Sequence, residues 1–259
     1  MNNDADFNAA AGQNTYDAAI LEAEFIPTTD FISIQFTFAS EEWVNGQLIE
    51  SPIFEIAQIN NVNGGANETL YNDNTNDQVN TEMDGYTVTL SVMMPVNAGV
   101  TNSIRLGIAD VADSSYDSTL LIGGGSIQGD VLAWDDSQTV FEGQTANIDV
   151  LGNDSSVGVM VVTHINGQAV NVGDTITLNN GFEVTLMADG TLSVEPPAGY
   201  GNLTDPDTFN FSYTAEAAGI SDTAFVSITS IPCFAAGTRI RTDRGDIAVE
   251  ALQAGDLVE

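Results

Sequence analysis

The segment FISIQFTF, residues 31–38, alternates without a break. Ile32, Ile34, Phe36 and Phe38 fall on one side, and Ser33, Gln35 and Thr37 on the other. An extended chain turns successive side chains to opposite faces, so this pattern predicts a half-buried β-strand. YTVTLSV repeats it with Tyr86, Val88, Leu90 and Val92, and SIRLGIA with Ile104, Leu106 and Ile108. YDAAILEAEF, residues 16–25, is a weak helix candidate that reads as strand from Ile20 onward. Between the strands, residues 60–77 are rich in Asn, Gly and Asp, which predicts a loop at the surface.

From about Gly129 the strands shorten and the turns come closer. DTITLNNGFEVTLMADGTLSVEP predicts a meander: Ile176 and Leu178, a turn at Asn180–Gly181, Val184 and Leu186, a turn at Asp189–Gly190, then Leu192 and Val194. Glycine supplies the positive φ such turns demand. TFNFSYT and TAFVSITS add two strands, and GGGSIQGD, residues 123–130, reads as the linker. The expected fold class is all-β, with two β-sandwich domains in tandem.

Charge narrows the function. Asp and Glu number 37 against four Lys and Arg, a net charge of −33. Self-repulsion of that size weakens a compact state, so high salt, bound divalent cations or both are expected to offset it. With no basic patch to neutralise phosphates, nucleic acid is excluded as a partner. One cysteine excludes an intrachain disulfide. No apolar run of about 18 residues is present, so no membrane span is expected. The opening MNNDADFNAAAG has neither a basic nor an apolar signal region. With the abrupt ending GDLVE, this reads as a fragment.

The acidic residues cluster beside strand ends. Asp4 and Asp6 lie in DADFN, Glu41 and Glu42 in SEEW, and Asp110, Asp113 and Asp117 in DVADSSYDS. Hard oxygen ligands converging from several loops suit Ca²⁺, so these seven are candidate ligands. The alternative is a solvated acidic face. Glu41 and Glu42 are adjacent and point to opposite faces of a strand, which argues against a shared glycosidase site. His164, the lone histidine, precedes a turn and has no second soft ligand for zinc, so it reads as structural.

The last stretch differs in composition: it holds Cys233 and three of the four positive charges, Arg239, Arg241 and Arg244. CFAAGTRIRTDRGDIAVEALQAGDLV resembles the start of a Hint domain, the hedgehog/intein autoprocessing fold. The shared features are the Cys, the Gly-Thr, a Thr-x-x-Gly turn and Val-Glu-x-Leu-x-x-Gly-Asp. The resemblance implies that Cys233 is a nucleophile attacking the Pro232 carbonyl. The Pro232–Cys233 amide would break as a thioester forms. The activating Thr-x-x-His block of that family does not occur in this sequence, so the stretch is expected to be inactive as given.

TYDAAILEAEF, FTFASEEW, DGYTVTL and RLGIADVADSSYDSTLLI, in that order, resemble the bacterial choice-of-anchor L domain. VFEGQTANIDVLGND and GTLSVEPPAGYGNLTDPDTFNFSYT resemble the cadherin-like or Ig-like spacer modules of bacterial exoproteins. The expected division is 1–128, 129–232 and 233–259, the last holding the first strands of a truncated Hint fold. Together the resemblances imply a secreted or cell-surface modular bacterial protein. Its first domain is expected to bind, adhere or assemble outside the cell, with calcium as stabiliser and an extracellular ligand or like subunits as partners. Two alternatives stand beside this: part of a self-cleaving protein processed through Cys233, or a subunit of an extracellular fibre.

Overall fold

A computed structural model describes residues 4–12, 14–41, 43–44, 47–48, 67–111, 116–198, 200, 206–232 and 238–251. The chain is nearly all β, as the alternation predicts. The first body holds helix α1 (Ala5–Ala11) and nine strands: β1 (Thr15–Phe25), β2 (Phe31–Ser40), β3 (Trp43–Val44), β4 (Gln47–Leu48), β5 (Tyr71–Asp73), β6 (Gly85–Thr87), β7 (Leu90–Pro95), β8 (Asn102–Val111) and β9 (Ser118–Ile122). The second holds β10 (Val131–Leu132), β11 (Asp136–Phe141), β12 (Ala146–Ile148), β13 (Ser155–Ser156), β14 (Val161–Ile165), β15 (Gln168–Ala169), β16 (Thr175–Thr177), β17 (Glu183–Leu186), β18 (Leu192–Glu195), β19 (Asp207–Ala217) and β20 (Ile220–Ile231). β21 (Arg239–Thr242) and β22 (Gly245–Ala248) form a hairpin in the tail.

β2 organises the first body. It pairs with β7 over residues 31–36, with β6 at Ala39 and Ser40, and with β9 over residues 36–40. Ile32, Ile34, Phe36 and Phe38 are all buried, as their spacing predicts. Ile108 of β8 and Leu120 of β9 pack against the cluster built on Phe36, Phe38, Leu70, Tyr71, Val88 and Leu90. β8 pairs antiparallel with β1, which is strand from Thr15 rather than from Ile20. The register slips between Tyr16 and Ala19, where Asp17 sits at φ 46°. The stretch predicted as one strand around Tyr86–Val92 is split into β6 and β7. The Val88 N–H leaves the ladder and donates to the Leu70 carbonyl at 2.9 Å.

The second body is a sandwich. One sheet runs β11-β20-β19-β14-β15, the other β12-β18-β17-β16. Phe211, Tyr213, Ala215, Val226, Ile228, Val150, Val184 and Leu192 lie between them with no solvent exposure. The predicted meander is present, with Gly181 at φ 86° and Gly190 at φ 89° in its turns. A feature absent from the sequence reading is the parallel pairing of β11 with β20 across six residue pairs.

Three departures share one cause. Ser33, expected on the exposed face of β2, is fully buried. Residues 60–77 are not all surface loop: Thr69, Leu70 and Tyr71 are buried around a 3-10 turn over Glu68–Leu70. The linker at 123–130 is sewn to β2, with Ser33 N–H donating to the Gln128 carbonyl at 2.8 Å and Gly123 N–H to the Gln35 carbonyl at 2.9 Å. In each case the second body, or the strap leading to it, covers a face that an isolated first body would leave in water. Gly129 marks how close the strap lies: a Cβ there would sit 2.7 Å from the Phe31 carbonyl oxygen, a backbone atom that cannot step aside. Gly129→Ala is therefore expected to destabilise the chain by about 1–3 kcal/mol, measured by urea unfolding at unchanged m-value.

Candidate functional site

Of the expected acidic ligands, Asp4, Asp6, Glu41, Asp110 and Asp117 lie among the described residues. Asp4 caps α1, its Oδ1 accepting from Asp6 N–H at 3.1 Å and Phe7 N–H at 3.3 Å. DADFN is therefore the first turn of a short helix and not a loop. Arg105 on β8 then takes three carboxylates at once: Asp4 through Nη2 at 2.7 Å, Asp6 through Nη1 at 2.5 Å and Glu22 through Nε at 3.0 Å. The Arg105 hydrogen bond holds the Asp4 carboxyl below its usual range, and Asp4 in turn raises Arg105. The guanidinium lies 5.5 Å from the Phe7 ring centre, and the ring rests on Gly107, where a Cβ would come within 2.1 Å of it. The Arg105 guanidinium thus lies between Asp4 and Asp6.

Glu41 and Asp117 are brought together at the end of β2. Glu41 N–H donates to the Asp117 carbonyl at 3.0 Å, and Asp117 N–H to Glu41 Oε2 at 3.3 Å. Asp84 is close enough that, after its burial, the charges of Glu41, Asp77 and Asp73 raise its affinity for a proton. Asp110 lies on β8, opposite Tyr16. Glu42, Asp113 and Cys233 lie outside the described residues. Pro232 directly follows β20, whose last residue, Ile231, accepts from Glu142 N–H at 3.0 Å. His164 sits in β14 with Nδ1 3.0 Å from Thr163 Oγ1. Among the described residues, no group of three or more His, Cys, Asp or Glu is arranged to hold a metal ion.

A further acidic group was not singled out from the sequence. Tyr213, fully buried, places its hydroxyl 3.0 Å from both carboxylate oxygens of Asp154 and 2.8 Å from the Val150 carbonyl. Asp154 also accepts from Trp134 N–H at 2.7 Å, and Asp135 from Phe225 N–H at 2.9 Å. Asp136 Oδ2 is buried beside them without a hydrogen bond. Burial, then the charge of Asp154, push Asp136 up to about 7; burial pushes Asp154 up to about 6. Adjacent acids in AWDDSQ and LGND were the available signal. Their convergence depends on β10 and β13 pairing, which short segments do not announce.

These are tandem β modules carrying acidic rims, joined to a short basic hairpin. Residues 1–51 and 50–128 match the Choice-of-anchor L domain, residues 128–229 a bacterial Ig domain, and residues 232–259 a Hint domain. Models of these three families match the chain in that order, and they suggest an extracellular modular bacterial protein, secreted or on the cell surface. No curated protein matches the chain. No helix among the described residues is long and apolar enough to cross a membrane.

The raised carboxyls set a pH dependence. A group that binds its proton more tightly when folded adds stability as pH falls from its folded value toward its unfolded one, near 4. Asp136 and Asp154 therefore cost stability at pH 8 and release that cost on acidification through about 7 and about 6. Asp4, Asp174 and Asp189, all lowered, act oppositely and only below about 4. At constant ionic strength the melting temperature is expected to rise from pH 8 to pH 5. Asp136→Asn should melt higher at pH 8 and show a shallower slope, and an unchanged slope would remove Asp136 from this role.

Proposed function

We propose that this chain is part of a secreted or surface-displayed bacterial protein. In this reading the Choice-of-anchor L domain is an extracellular binding, adhesion or assembly module, carried on the Ig domain. A Hint domain in the parent processes the junction. The observation that supports this best is the position of the junction. The last strand of the Ig sheet ends at Ile231, and the Hint match begins at residue 232. Breaking the Pro232–Cys233 bond would leave every core residue of the sandwich in place.

In a parent carrying a complete Hint domain, the acyl shift leaves the Pro232 acyl group on the Cys233 sulfur with the Cys233 amine free. Water then hydrolyses that thioester, and mass spectrometry is expected to find a product ending at the Pro232 carboxylate. Cys233→Ala should abolish it, since only the sulfur can accept the acyl group from the Pro232 carbonyl. Equal cleavage in both proteins would exclude this route.

Calcium belongs to the same proposal, for the chain as a whole. The support is the net charge of −33 and the gathering of Glu41, Asp73, Asp77, Asp84 and Asp117 about one end of β2. The described residues do not form a finished coordination shell, so no ligand set is assigned. A cation bound only by the folded chain raises stability by about 2.7 kcal/mol at a hundredfold excess over its dissociation constant. Melting in calcium should exceed melting in chelator at matched ionic strength. Equal transitions would reduce the effect to screening.

A further inference from the structure

We propose that the first domain and the Ig domain are docked as one body in solution, and that the first domain depends on this contact for its fold. The surface concerned is the outer face of the β19–β20 hairpin, and its occupant is the first domain of the same chain.

In a free-standing sandwich the outer face of a sheet meets water. Here Ser212 and Thr223, which alternate with the core-facing residues of β19 and β20, are only 2% exposed. Asp222 is fully buried at the head of β20. Its Oδ1 accepts from the Ser33 hydroxyl, from the Ser91 hydroxyl at 3.0 Å and from its neighbour Thr223 N–H at 2.8 Å. Its Oδ2 accepts from Ala133 N–H at 3.0 Å. One carboxylate thus ties β2 and β7 of the first domain to the hairpin of the second and to the backbone just after β10. Gln35 Nε2 donates to the Ser221 carbonyl at 2.6 Å beside it.

A second set of bonds lies around the 3-10 turn. Thr69 Oγ1 donates to the Asn210 carbonyl, and Asn166 Nδ2 to the Thr69 carbonyl. Asn179 Nδ2 donates to the Glu68 and Tyr71 carbonyls, each at 3.0 Å, and Asn210 Nδ2 to Asn67 Oδ1 at 2.9 Å. Apolar contacts fill the space between: Phe225 of β20 packs against the first domain's core cluster, and Phe31 meets Trp134 edge to face at 5.3 Å.

The magnitudes favour docking. Among the described residues at least eight direct hydrogen bonds cross the seam, within the range of a stable protein–protein interface. The two faces are joined by a short strap, which sets an effective concentration on the order of millimolar. A contact of only micromolar intrinsic affinity would then be closed about 1,000 times more often than open. Phe225 joins Val92, Ile108 and Leu120 in packing against the first domain's buried cluster. Phe225 is therefore part of what covers it.

Hydrogen exchange by mass spectrometry on the full chain tests this. Phe225→Ala and Asp222→Ala alter only the Ig domain's sequence. Both are expected to speed exchange in β2 and β7 about tenfold or more, with β16–β18 changed less than about twofold. Changes confined to the Ig domain would overturn the proposal. Asn179→Ala, at an exposed site, keeps the test open if the core variants fail to fold. It should speed exchange over residues 67–73, and unchanged exchange there would also overturn it.

Discussion

The buried carboxylate of Asp222 is the point on which the arrangement turns. A charge removed from water is costly unless donors replace its hydration. Here the donors come from two hydroxyls of the first domain, from the backbone just after β10 and from its own strand. They do not fully replace water, since burial still raises its affinity for a proton. Taking away either body would leave polar groups shaped for a partner that is gone. The same logic explains why Ser33 and Thr69 are buried although neither is apolar.

Much of the fold was legible because period-two alternation is a local property. Ile32, Ile34, Phe36 and Phe38 and the Asn-Gly and Asp-Gly turns lie where the pattern puts them, and the Thr242–Gly245 turn lies where the Hint resemblance puts it. The three-family order was equally readable from short motifs. What was hidden is non-local. Ser33 looks like a solvent-facing residue until Asp222, 189 positions later, is brought against it. Asp4 and Asp6 look like free ligands until Arg105 folds back between them. No spacing rule connects such pairs.

The charge distribution follows a related pattern. The Arg105 cluster and the Tyr213 network show two solutions for crowded carboxylates. In one, a guanidinium shares its donors among three acids at the surface. In the other, a phenol and backbone amides accommodate acids whose proton affinity rises into the neutral range. The second resembles a cation site in composition but is already partly satisfied by protein donors. Acidic residues gathered in space thus carry different meanings according to what faces them.

The parallel ladder between β11 and β20 has a mechanical consequence. The strand entering the Ig domain and the strand leaving it run side by side in the same direction, so tension applied through the two ends slides one along the other. The six residue pairs from Asp136–Val226 to Phe141–Ile231 then bear load together, and none can be peeled away before the rest. Opposed strands joined at a shared end would instead unzip a pair at a time. A segment suspended between a tethering region and a displayed head would hold its length under flow because of this geometry.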